Sequence, residues 1–179
     1  MLDVHVIVSA DTQSDWVEDC LSSIRTAQKN AGFPVEFHTV EGVPGHIGKA
    51  RAKGYSLGIN PYVTFVDDDD YILPNAFAQM KERLLEGGFD ALATPEFILR
   101  NGEQFEGKSR HHLIAYRRDR VIDHTGWICC GDVAQMASIS ATHWQELPEA
   151  QYVHRVYLSR ARLMRREYPE ELVKAFGHG

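Results

Sequence analysis

The sequence predicts an α/β fold in which a mostly parallel central sheet is flanked by helices and extended by antiparallel strands in the second half. In the first half, short β-branched runs alternate with segments of helical periodicity, which is the pattern of βαβ units. Residues 62–66 (YVTFV) are apolar almost throughout, as strands covered on both faces are. Later, Asn101 and Gly102 stand between two strand-like runs and indicate an antiparallel hairpin.

The elements of the first half follow from hydrophobic spacing. Runs of β-branched residues predict strands, apolar residues three or four positions apart predict helices, and glycine or proline ends several of them. In chain order the pattern predicts a strand over residues 4–9, a helix over 15–31, a strand over 35–40, a helix over 47–58, a strand over 62–66, a helix over 74–86 and a strand over 89–94.

The second half has a different pattern. Residues 96–107 (EFILRNGEQFEG) predict the hairpin, and residues 113–118 (LIAYRR) and 133–141 (VAQMASISA) predict further strands that add antiparallel to the sheet. Pro148 is expected to begin a long helix that reaches about Arg166, because proline is favoured in the first turn of a helix. A short helix is expected from Pro169.

The chain has the size and composition of one domain. Its 179 residues are 44% hydrophobic and 25% charged, which is ordinary for a globular protein with a real core. No low-complexity segment or linker divides the sequence, so we expect a single domain over residues 1–179.

The net charge of -6 at pH 7 is unevenly distributed along the chain. Acidic residues outnumber basic ones over residues 1–99, whereas basic residues outnumber acidic ones over residues 100–166. A basic segment of this kind either binds an anionic ligand, such as a diphosphate or a nucleic acid, or forms a solvated helix face.

The sequence further indicates a cytoplasmic protein without a membrane span. No stretch approaches about eighteen consecutive apolar residues, and residues 1–13 lack a cationic leader followed by an apolar block. The three cysteines, of which Cys129 and Cys130 are adjacent, form neither a disulfide framework nor a zinc-finger pattern. We therefore expect reduced, buried thiols.

Four consecutive carboxylates, Asp67 to Asp70, follow the apolar strand directly. They lie at the carboxyl end of a strand, where open α/β sheets bind their ligands. Mg²⁺ and Mn²⁺ prefer carboxylate oxygens and also bridge phosphate oxygens. In an extended segment alternate residues point the same way, so Asp67 and Asp69 are expected to converge on one ion while Asp68 points elsewhere. A solvated turn that caps the next helix is the simpler alternative, although capping needs one carboxylate rather than four.

Residues 45–70 (GHIGKARAKGYSLGINPYVTFVDDDD) combine a glycine-containing helix with an arginine, a turn, and the strand that ends in the acidic run. The sequence here resembles the family 2 glycosyltransferases of the GT-A fold, whose metal-bearing strand ends in an Asp-x-Asp motif. The resemblance covers about residues 2–95. It implies a Rossmann-like GT-A sandwich with a nucleotide-sugar donor, expected to be a UDP-sugar, above the first three strands. It also implies Mn²⁺ or Mg²⁺ on Asp67 and Asp69, and Arg51 facing the nucleotide or diphosphate.

On this resemblance, residues 1–95 form the nucleotide-sugar-binding half and residues 96–179 the acceptor side. Two donor turns depart from the family pattern. SADTQ replaces a Pro-Thr-Tyr-Asn-like turn after the first strand, and VEGVPG offers only Glu41 in place of an Asp-Asp-Gly-Ser turn. The expected donor-binding residues are Ser9, Asp11, Glu41, Arg51 and Asp68.

The resemblance also implies a catalytic base. In the family it is an Asp in a Glu-Asp pair at the start of a late helix, with an Arg further along, and Pro148, Glu149 and Arg155 follow that spacing. We predict Glu149 as the base, because a carboxylate in the first turn of a helix can take the proton of an acceptor hydroxyl. Stabilisation of the helix terminus is the alternative role, and Glu146 and Asp132 are the reserve candidates.

The expected reaction is an inverting transfer of one sugar to an acceptor hydroxyl. The Gln-x-x-Arg-Trp motif of processive polysaccharide synthases is missing from the sequence, which favours a single transfer. The acceptor stays open between a saccharide, a lipid-linked molecule and a modified base of viral DNA. For DNA, phosphate contacts would come from Arg160, Arg162, Arg165 and Arg166.

Two other functional classes compete with the transferase. A nucleotidyltransferase or phosphatase also clusters carboxylates around Mg²⁺ beside phosphate, although the sequence has no P-loop motif. A binding module could keep the fold without turnover. A lone histidine is more often a surface or hydrogen-bonding residue than a ligand, so none is assigned among His111, His112, His124, His143 and His154.

Overall fold

The computed structural model describes residues 1–100, 102–107, 112–127 and 131–156. None of the helices in these ranges is long and apolar enough to cross a membrane. The elements in chain order are β1 (Leu2–Val8), α1 (Ser14–Asn30), β2 (Val35–Glu41), α2 (Ile47–Ser56), β3 (Tyr62–Asp67), β4 (Tyr71–Ile72), α3 (Ala76–Glu86), β5 (Ala91–Ala93), β6 (Glu96–Arg100), β7 (Glu103–Glu106), β8 (Ala115–Arg117), α4 (Gly131–Ala137), β9 (Trp144–Glu146) and β10 (Tyr152–Val156).

The larger sheet has the strand order β2-β1-β3-β8-β5-β9. β1 lies between β2 and β3 and is parallel to both, so that Leu2 pairs with Val35 on one side and with Tyr62 on the other. β8 runs antiparallel to its neighbours β3 and β5, whereas β9 is parallel to β5. The predicted fold class, a mostly parallel sheet with antiparallel additions, is confirmed.

Helices cover both faces of this sheet. On one face, Val4 and Val6 of β1 pack with Ile24 of α1 and with Phe77 and Met80 of α3. On the other face, residues of β3 and β8 pack with Tyr55 of α2 in a second cluster. This arrangement explains why YVTFV is apolar almost throughout, because helices cover both faces of the strand. Burying one such large apolar side chain contributes about 1.5–3 kcal/mol.

The smaller sheet has the order β4-β10-β6-β7. β6 and β7 form the predicted hairpin around Gly102, whose φ of 82° suits a tight turn. β10 lies parallel to β6 and antiparallel to β4. Because β4 begins directly after Asp70, this sheet brings β10 next to the acidic run.

Two predicted elements of the second half are wrong. Residues 131–137 form helix α4 where a strand was expected. Gln135 explains the difference: it is fully buried, its Oε1 accepts the N–H of Ile122 at 2.8 Å, and its Nε2 donates to the carbonyl of Arg120 at 2.9 Å. These contacts outweigh the β-propensity of the valine and isoleucine residues.

The long helix expected from Pro148 is the second error. Pro148 and Glu149 lie in a bend, and the following residues form strand β10. Tyr152 and Val153 are fully buried and pair with Ile72 and Tyr71 of β4, and these long-range contacts override the proline signal. The rest of that predicted helix and the one from Pro169 lie outside the described residues, as do Arg160, Arg162, Arg165 and Arg166.

Asp3 ties together the opposite edge of the larger sheet, at the amino ends of the strands. Its carboxylate accepts the backbone N–H and the side-chain amide of Asn60, both at 2.8 Å, and also pairs with His38 and Arg118. Asp3, Glu36 and His38 have ligand atoms close enough to hold a cation. With four donors already on its two oxygens, however, Asp3 serves as a structural clamp.

Candidate functional site

The carboxyl ends of β1, β2 and β3 lie side by side, as the parallel register requires. Val8 pairs with Glu41, and Ile7 pairs with Asp67. The N–H of Gly42 donates to the carbonyl of Val8 at 2.8 Å, which holds the loops after β1 and β2 together. Ser9, Glu41 and Asp67 therefore share one edge of the sheet.

The acidic run forms a turn. The N–H of Asp70 donates to the carbonyl of Asp67 at 3.1 Å, and Asp68 and Asp69 occupy the turn between them. The expectation of an extended segment with alternating side chains is therefore wrong, because the chain reverses into β4. Asp68 is 4% exposed, and its Oδ2 accepts the N–H of Ser9 at 2.7 Å. This bond fixes the loop after β1 against the turn.

Arg51 on α2 reaches the acidic run from the helix side. Its Nη2 donates to Oδ1 of Asp67 at 3.0 Å, and the centre of its guanidinium lies 3.5 Å above the ring of Phe65. Its Nη1 is buried and has no hydrogen-bond partner among the described residues. A guanidinium held in this way by a ring and one carboxylate keeps donor capacity for an anionic ligand.

The pKa of Asp67 is set by opposing effects. Burial alone would raise it, but the charge of Arg51, its hydrogen bond and the charges of His112 and His154 hold the pKa below its ordinary value. The side chain is 34% exposed. Asp67 is thus ionised at neutral pH and accessible to a cation.

His5 lies beneath this pair on β1. Burial, followed by the charge of Arg51, places the pKa of His5 well below its ordinary value, so the ring is neutral at pH 7. Its ring centroid lies 4.7 Å from that of Tyr55 on α2 in an edge contact. A neutral ring adds no positive charge that would compete with Arg51 for Asp67.

Asp70 is fully buried and is held by three donors from β10. Its Oδ2 accepts the hydroxyl of Tyr152 at 2.7 Å and Nδ1 of His154 at 2.9 Å, and its Oδ1 accepts the N–H of Arg155 at 2.7 Å. The same hydroxyl accepts the N–H of Asp67 at 3.3 Å. Burial would lower the pKa of His154, but the hydrogen bond and charge of Asp70 raise it. β10 thus completes the acidic turn.

His112 stands beside the turn in the segment that leads into β8. Its Nδ1 donates to Oε2 of Glu96 at 2.7 Å, and its Nε2 lies 3.6 Å from Oδ2 of Asp67. Its ring stacks on those of Tyr152 and His154, with centroid distances of 4.8 Å and 4.6 Å. Sequence reasoning missed Glu96 and Tyr152 altogether, since only the pairing of β10 with β4 and β6 brings these residues together.

The candidate bases lie in different environments. Asp132 is in the first turn of α4, and its charge acts on the hydroxyls of Tyr55 and Tyr116, whose pKa values are raised first by burial. Glu149 is exposed in the bend before β10, and its carbonyl accepts the Thr94 hydroxyl at 3.1 Å. Asp132 therefore occupies the first turn of a helix, which is where Glu149 was predicted to lie.

Asp11, Glu146 and Arg155 lie around the acidic turn or farther from it. Asp11 is exposed in the turn after β1. Arg155 donates to the carbonyl of Asp69 at 3.2 Å and pairs with Asp19 of α1 at 2.6 Å, so it supports the acidic turn. Glu146 ends β9 and is exposed.

A groove of about 530 Å³ opens on the α1 side, between that helix and the smaller sheet. Its lining includes Asp19, Thr26, Tyr71 and Arg155. Arg51 lies on α2, which covers the face of the larger sheet opposite α1, so it does not line this groove.

Solved structures with a similar fold include TarS of S. aureus. TarS 1-349 matches with a TM-score of 0.63 at 16% sequence identity, covering 86% of this chain and 60% of that chain. TarS 1-349 in complex with UDP-GlcNAc matches with a TM-score of 0.64 at 15% identity, covering 87% and 58%. The chain thus spans about 60% of the length of these TarS structures, and at this identity the likeness shows the fold.

None of the curated proteins matches the sequence at a significant level. The family model described as Glycosyl transferase family 2 matches residues 2–140, which is most of the chain. The matched region contains the acidic turn, Arg51 and helix α4. Together with the GT-A-like architecture of the sheet, this match confirms the resemblance found in the sequence. The chain belongs to glycosyl transferase family 2.

Proposed function

We propose that the protein transfers a single sugar, with inversion, from a UDP-sugar to an acceptor hydroxyl. The observation that carries this proposal is the pairing of Arg51 with Asp67 at the carboxyl edge of β3. A guanidinium beside an acidic turn can bind a diphosphate together with the cation that neutralises it. Family membership supports the reaction, and TarS, which shares the fold, has been crystallised with UDP and with UDP-GlcNAc.

The donor would lie along the edge formed by β1, β2 and β3. In this proposal Arg51 binds the diphosphate, while Ser9, Asp11 and Glu41 line the nucleoside part of the cleft. Asp68 has a double role, because the bond from Ser9 to its carboxylate also shapes the loop after β1. Glu41 is exposed at the last position of β2 and is available to a ribose or base.

The proposed cofactor is Mn²⁺ or Mg²⁺, with Asp67 and Asp69 as the residues that would hold it. Asp67 fits this role, because its carboxylate is ionised and partly exposed. Bound there, the cation would neutralise the negative charge that develops on the leaving diphosphate. Asp69 is only 4% exposed, and its carbonyl is fixed by Arg155.

The proposed chemical step needs a carboxylate on the acceptor side, which we assign to residues 96–179. The acceptor oxygen forms a bond to the anomeric carbon, its proton passes to the carboxylate, and the bond to the diphosphate breaks with its electron pair on the leaving oxygen. Glu149 is the base proposed from sequence spacing. Asp132 is the stronger candidate, because it occupies the first turn of a helix on the side of Tyr55 and Arg51.

A binding and turnover experiment tests the proposal. UDP-, GDP-, CMP- and dTDP-sugars are screened by thermal shift with and without Mn²⁺, on the wild type and on Asp69→Asn. We expect a UDP-sugar to stabilise the wild type in the presence of Mn²⁺ and the variant to respond less. Release of UDP shows turnover, whereas binding without release favours a non-catalytic module. If no nucleotide-sugar stabilises the wild type, the proposal is wrong.

The base is identified by a matched pair of variants. Asp132→Asn and Glu149→Gln each replace a carboxylate by an amide of nearly the same shape. The variant that lacks the base should lose at least about a hundredfold in kcat with UDP-sugar binding retained, which is the usual size of a general-base contribution. If both variants are as active as the wild type, neither residue is the catalytic base.

A further inference from the structure

One tryptophan is exposed to solvent beside the first turn of α4. Trp127 is 40% exposed, whereas Trp16 and Trp144 are partly buried. Tryptophan is highly buried on average in folded proteins, so an exposed indole next to a candidate site is informative. We propose that a pyranose ring of the acceptor stacks on the indole of Trp127, which makes the acceptor a saccharide. The inference deepens the proposed function and rests on it for the transfer step.

The backbone of Trp127 is anchored on α2, the helix that carries Arg51. Its carbonyl accepts the N–H of Gly48 at 3.0 Å, and its N–H donates to the carbonyl of His124 at 3.0 Å. This close approach requires glycine, because a Cβ at Gly48 would lie 2.2 Å from the carbonyl oxygen of Trp127. Arg51 follows Gly48 by three residues and lies on the same side of the helix. The indole therefore has a fixed place relative to the proposed diphosphate site.

The side chain of Trp127 also contacts α4. A Cβ at Gly131 would lie 3.3 Å from both Cβ and Cγ of Trp127. Asp132, the stronger candidate for the base, follows Gly131 directly and is half-buried. An acceptor ring stacked on the indole is thus close enough to Asp132 to bring a hydroxyl to its carboxylate.

The loop that carries the indole is held by local hydrogen bonds and by a buried histidine. The carboxylate of Asp123 accepts the N–H of Thr125 at 2.8 Å and its hydroxyl at 3.0 Å. His124 is 1% exposed, and its ring centroid lies 4.9 Å from that of Tyr55 on α2. A platform ordered before the ligand arrives loses little conformational entropy on binding.

Further exposed apolar side chains occur in the segments that adjoin Trp127. Val133, next to Asp132, is 47% exposed, and Val43, in the loop before α2, is 41% exposed. The carbonyl of Val43 accepts the N–H of His46, the residue that precedes α2, at 2.9 Å. Apolar and aromatic surface with a few placed polar groups is typical of small-molecule sites. The C–H face of a pyranose matches such a surface, while its hydroxyls can reach Asp132.

The charges around the indole favour a saccharide over a nucleic acid. An exposed aromatic ring can also stack on a nucleobase, but the phosphates of a polynucleotide need a cationic surface. The exposed carboxylate of Asp123 and the half-buried carboxylate of Asp132 flank Trp127 in the chain, and Lys49, next to Gly48 on α2, offsets one of these charges. A neutral sugar ring meets no such repulsion.

Saturation-transfer NMR and acceptor kinetics on the full chain test the inference. The probes are the methyl pyranosides of glucose, galactose, mannose and N-acetylglucosamine, together with a DNA duplex that contains 5-hydroxymethylcytosine. We expect at least one pyranoside to bind, with most saturation on the C–H protons of one face of its ring. Trp127→Ala should abolish this transfer and raise the KM for that acceptor at least tenfold, with the Kd for UDP within twofold of wild type.

Two further variants separate stacking from a structural effect. Trp127→Phe keeps an aromatic ring and should restore part of the acceptor affinity. Phe105→Ala removes an aromatic side chain that is 50% exposed on β7 and should leave acceptor binding unchanged. Because the two hydrogen bonds of Trp127 are made by its backbone, Trp127→Ala retains both groups that anchor the loop.

The inference is overturned if none of the pyranosides binds the wild type, or if Trp127→Ala leaves the acceptor KM unchanged. Transfer to the duplex without binding of any pyranoside would also overturn it, as would an equal loss of UDP affinity in Trp127→Ala, which would place the indole on the donor. UDP release with an unchanged acceptor KM in Trp127→Ala leaves the proposed function standing. Pyranoside binding that depends on Trp127, in a protein that binds no nucleotide-sugar, would support the saccharide site and contradict the proposed function.

Discussion

Arg51 and Asp67 form an ion pair at 3.0 Å between the first helix after β2 and the last residue of β3. The pair lies on the ring of Phe65 and above the neutral His5. Removing either charge should therefore act on ligand binding before it acts on the fold.

Arg51→Met should weaken UDP binding by at least tenfold, or about 1.4 kcal/mol, because the diphosphate loses its cationic partner. The pKa of Asp67 should rise, because Arg51 is the main group that lowers it against burial. Calorimetry with UDP measures the affinity. Arg83→Met, on the exposed face of α3, is the control and should bind UDP as the wild type does. Unchanged affinity in Arg51→Met would contradict the assignment.

Tyr152→Phe should lower the free energy of unfolding by about 1–3 kcal/mol, because it leaves an oxygen of the buried Asp70 with one donor fewer. Urea denaturation measures the change. Tyr62→Phe removes a hydroxyl that makes no hydrogen bond among the described residues and lies beside Gly87, so it should cost less. If both variants lose the same stability, the bridge from Tyr152 to the acidic turn contributes nothing.

The carboxylate of Asp90 should make the stability of the folded protein depend on pH. Burial would raise its pKa, but the hydrogen bond from His143 and the charges of Arg117 and Arg120 hold it below the ordinary value. A carboxyl with a depressed pKa in the folded state stabilises the fold above its unfolded-state pKa, and this contribution is lost as the pH falls through the folded-state pKa. Asp90→Asn should lower Tm by several degrees at pH 7 and by much less near pH 3.

Thermal unfolding of Asp90→Asn and the wild type across this pH range makes the comparison. A difference in Tm that stays constant with pH would show that the carboxylate charge is irrelevant. Asp123→Asn offers a contrast at an exposed site, since the pKa of Asp123 is lowered mainly by hydrogen bonds from the neighbouring Thr125, with a smaller effect of the charge of His124.

Alanine substitutions at two glycines distinguish the cost of backbone strain from the cost of a steric clash. Gly58 and Gly88 both have positive φ, 72° and 82°. A Cβ at Gly58 would lie 2.3 Å from the Asp3 carboxylate, whereas a Cβ at Gly88 would meet nothing within 4 Å. Gly88→Ala should cost about 1–2 kcal/mol from strain, and Gly58→Ala more, because it also displaces the clamp. If both variants lose the same free energy of unfolding in denaturant, displacement of the Asp3 clamp does not add to the cost.

Local pattern was sufficient to predict the first half of the fold. β1, β2 and β3 are short β-branched runs, α1 and α3 have apolar residues at helical spacing, and tertiary contacts agree with these preferences. The parallel register then places Ser9, Glu41 and Asp67 on one edge without further information. This is why the donor side of the candidate site could be outlined from sequence.

The second half depended on contacts between distant residues. Gln135 holds α4 through the backbone of residues 120–122, and Tyr152 draws β10 against β4. Neither contact has a local signature, so a strand was predicted in place of α4 and a helix in place of β10. For the same reason the pair of Glu96 and His112, of which His112 approaches Asp67 through its side chain, was missed.

Tyr152 follows Asp70 by 82 residues, and its strand lies between β4 and β6 in the finished sheet. A chain emerging from the ribosome can therefore assemble the β1-β2-β3 edge long before the acidic turn receives its hydroxyl and imidazole partners. Pairing of such distant segments is slow, because the loop between them must close first. The acidic turn is therefore expected to reach its ligand-binding form only after β10 has been synthesised.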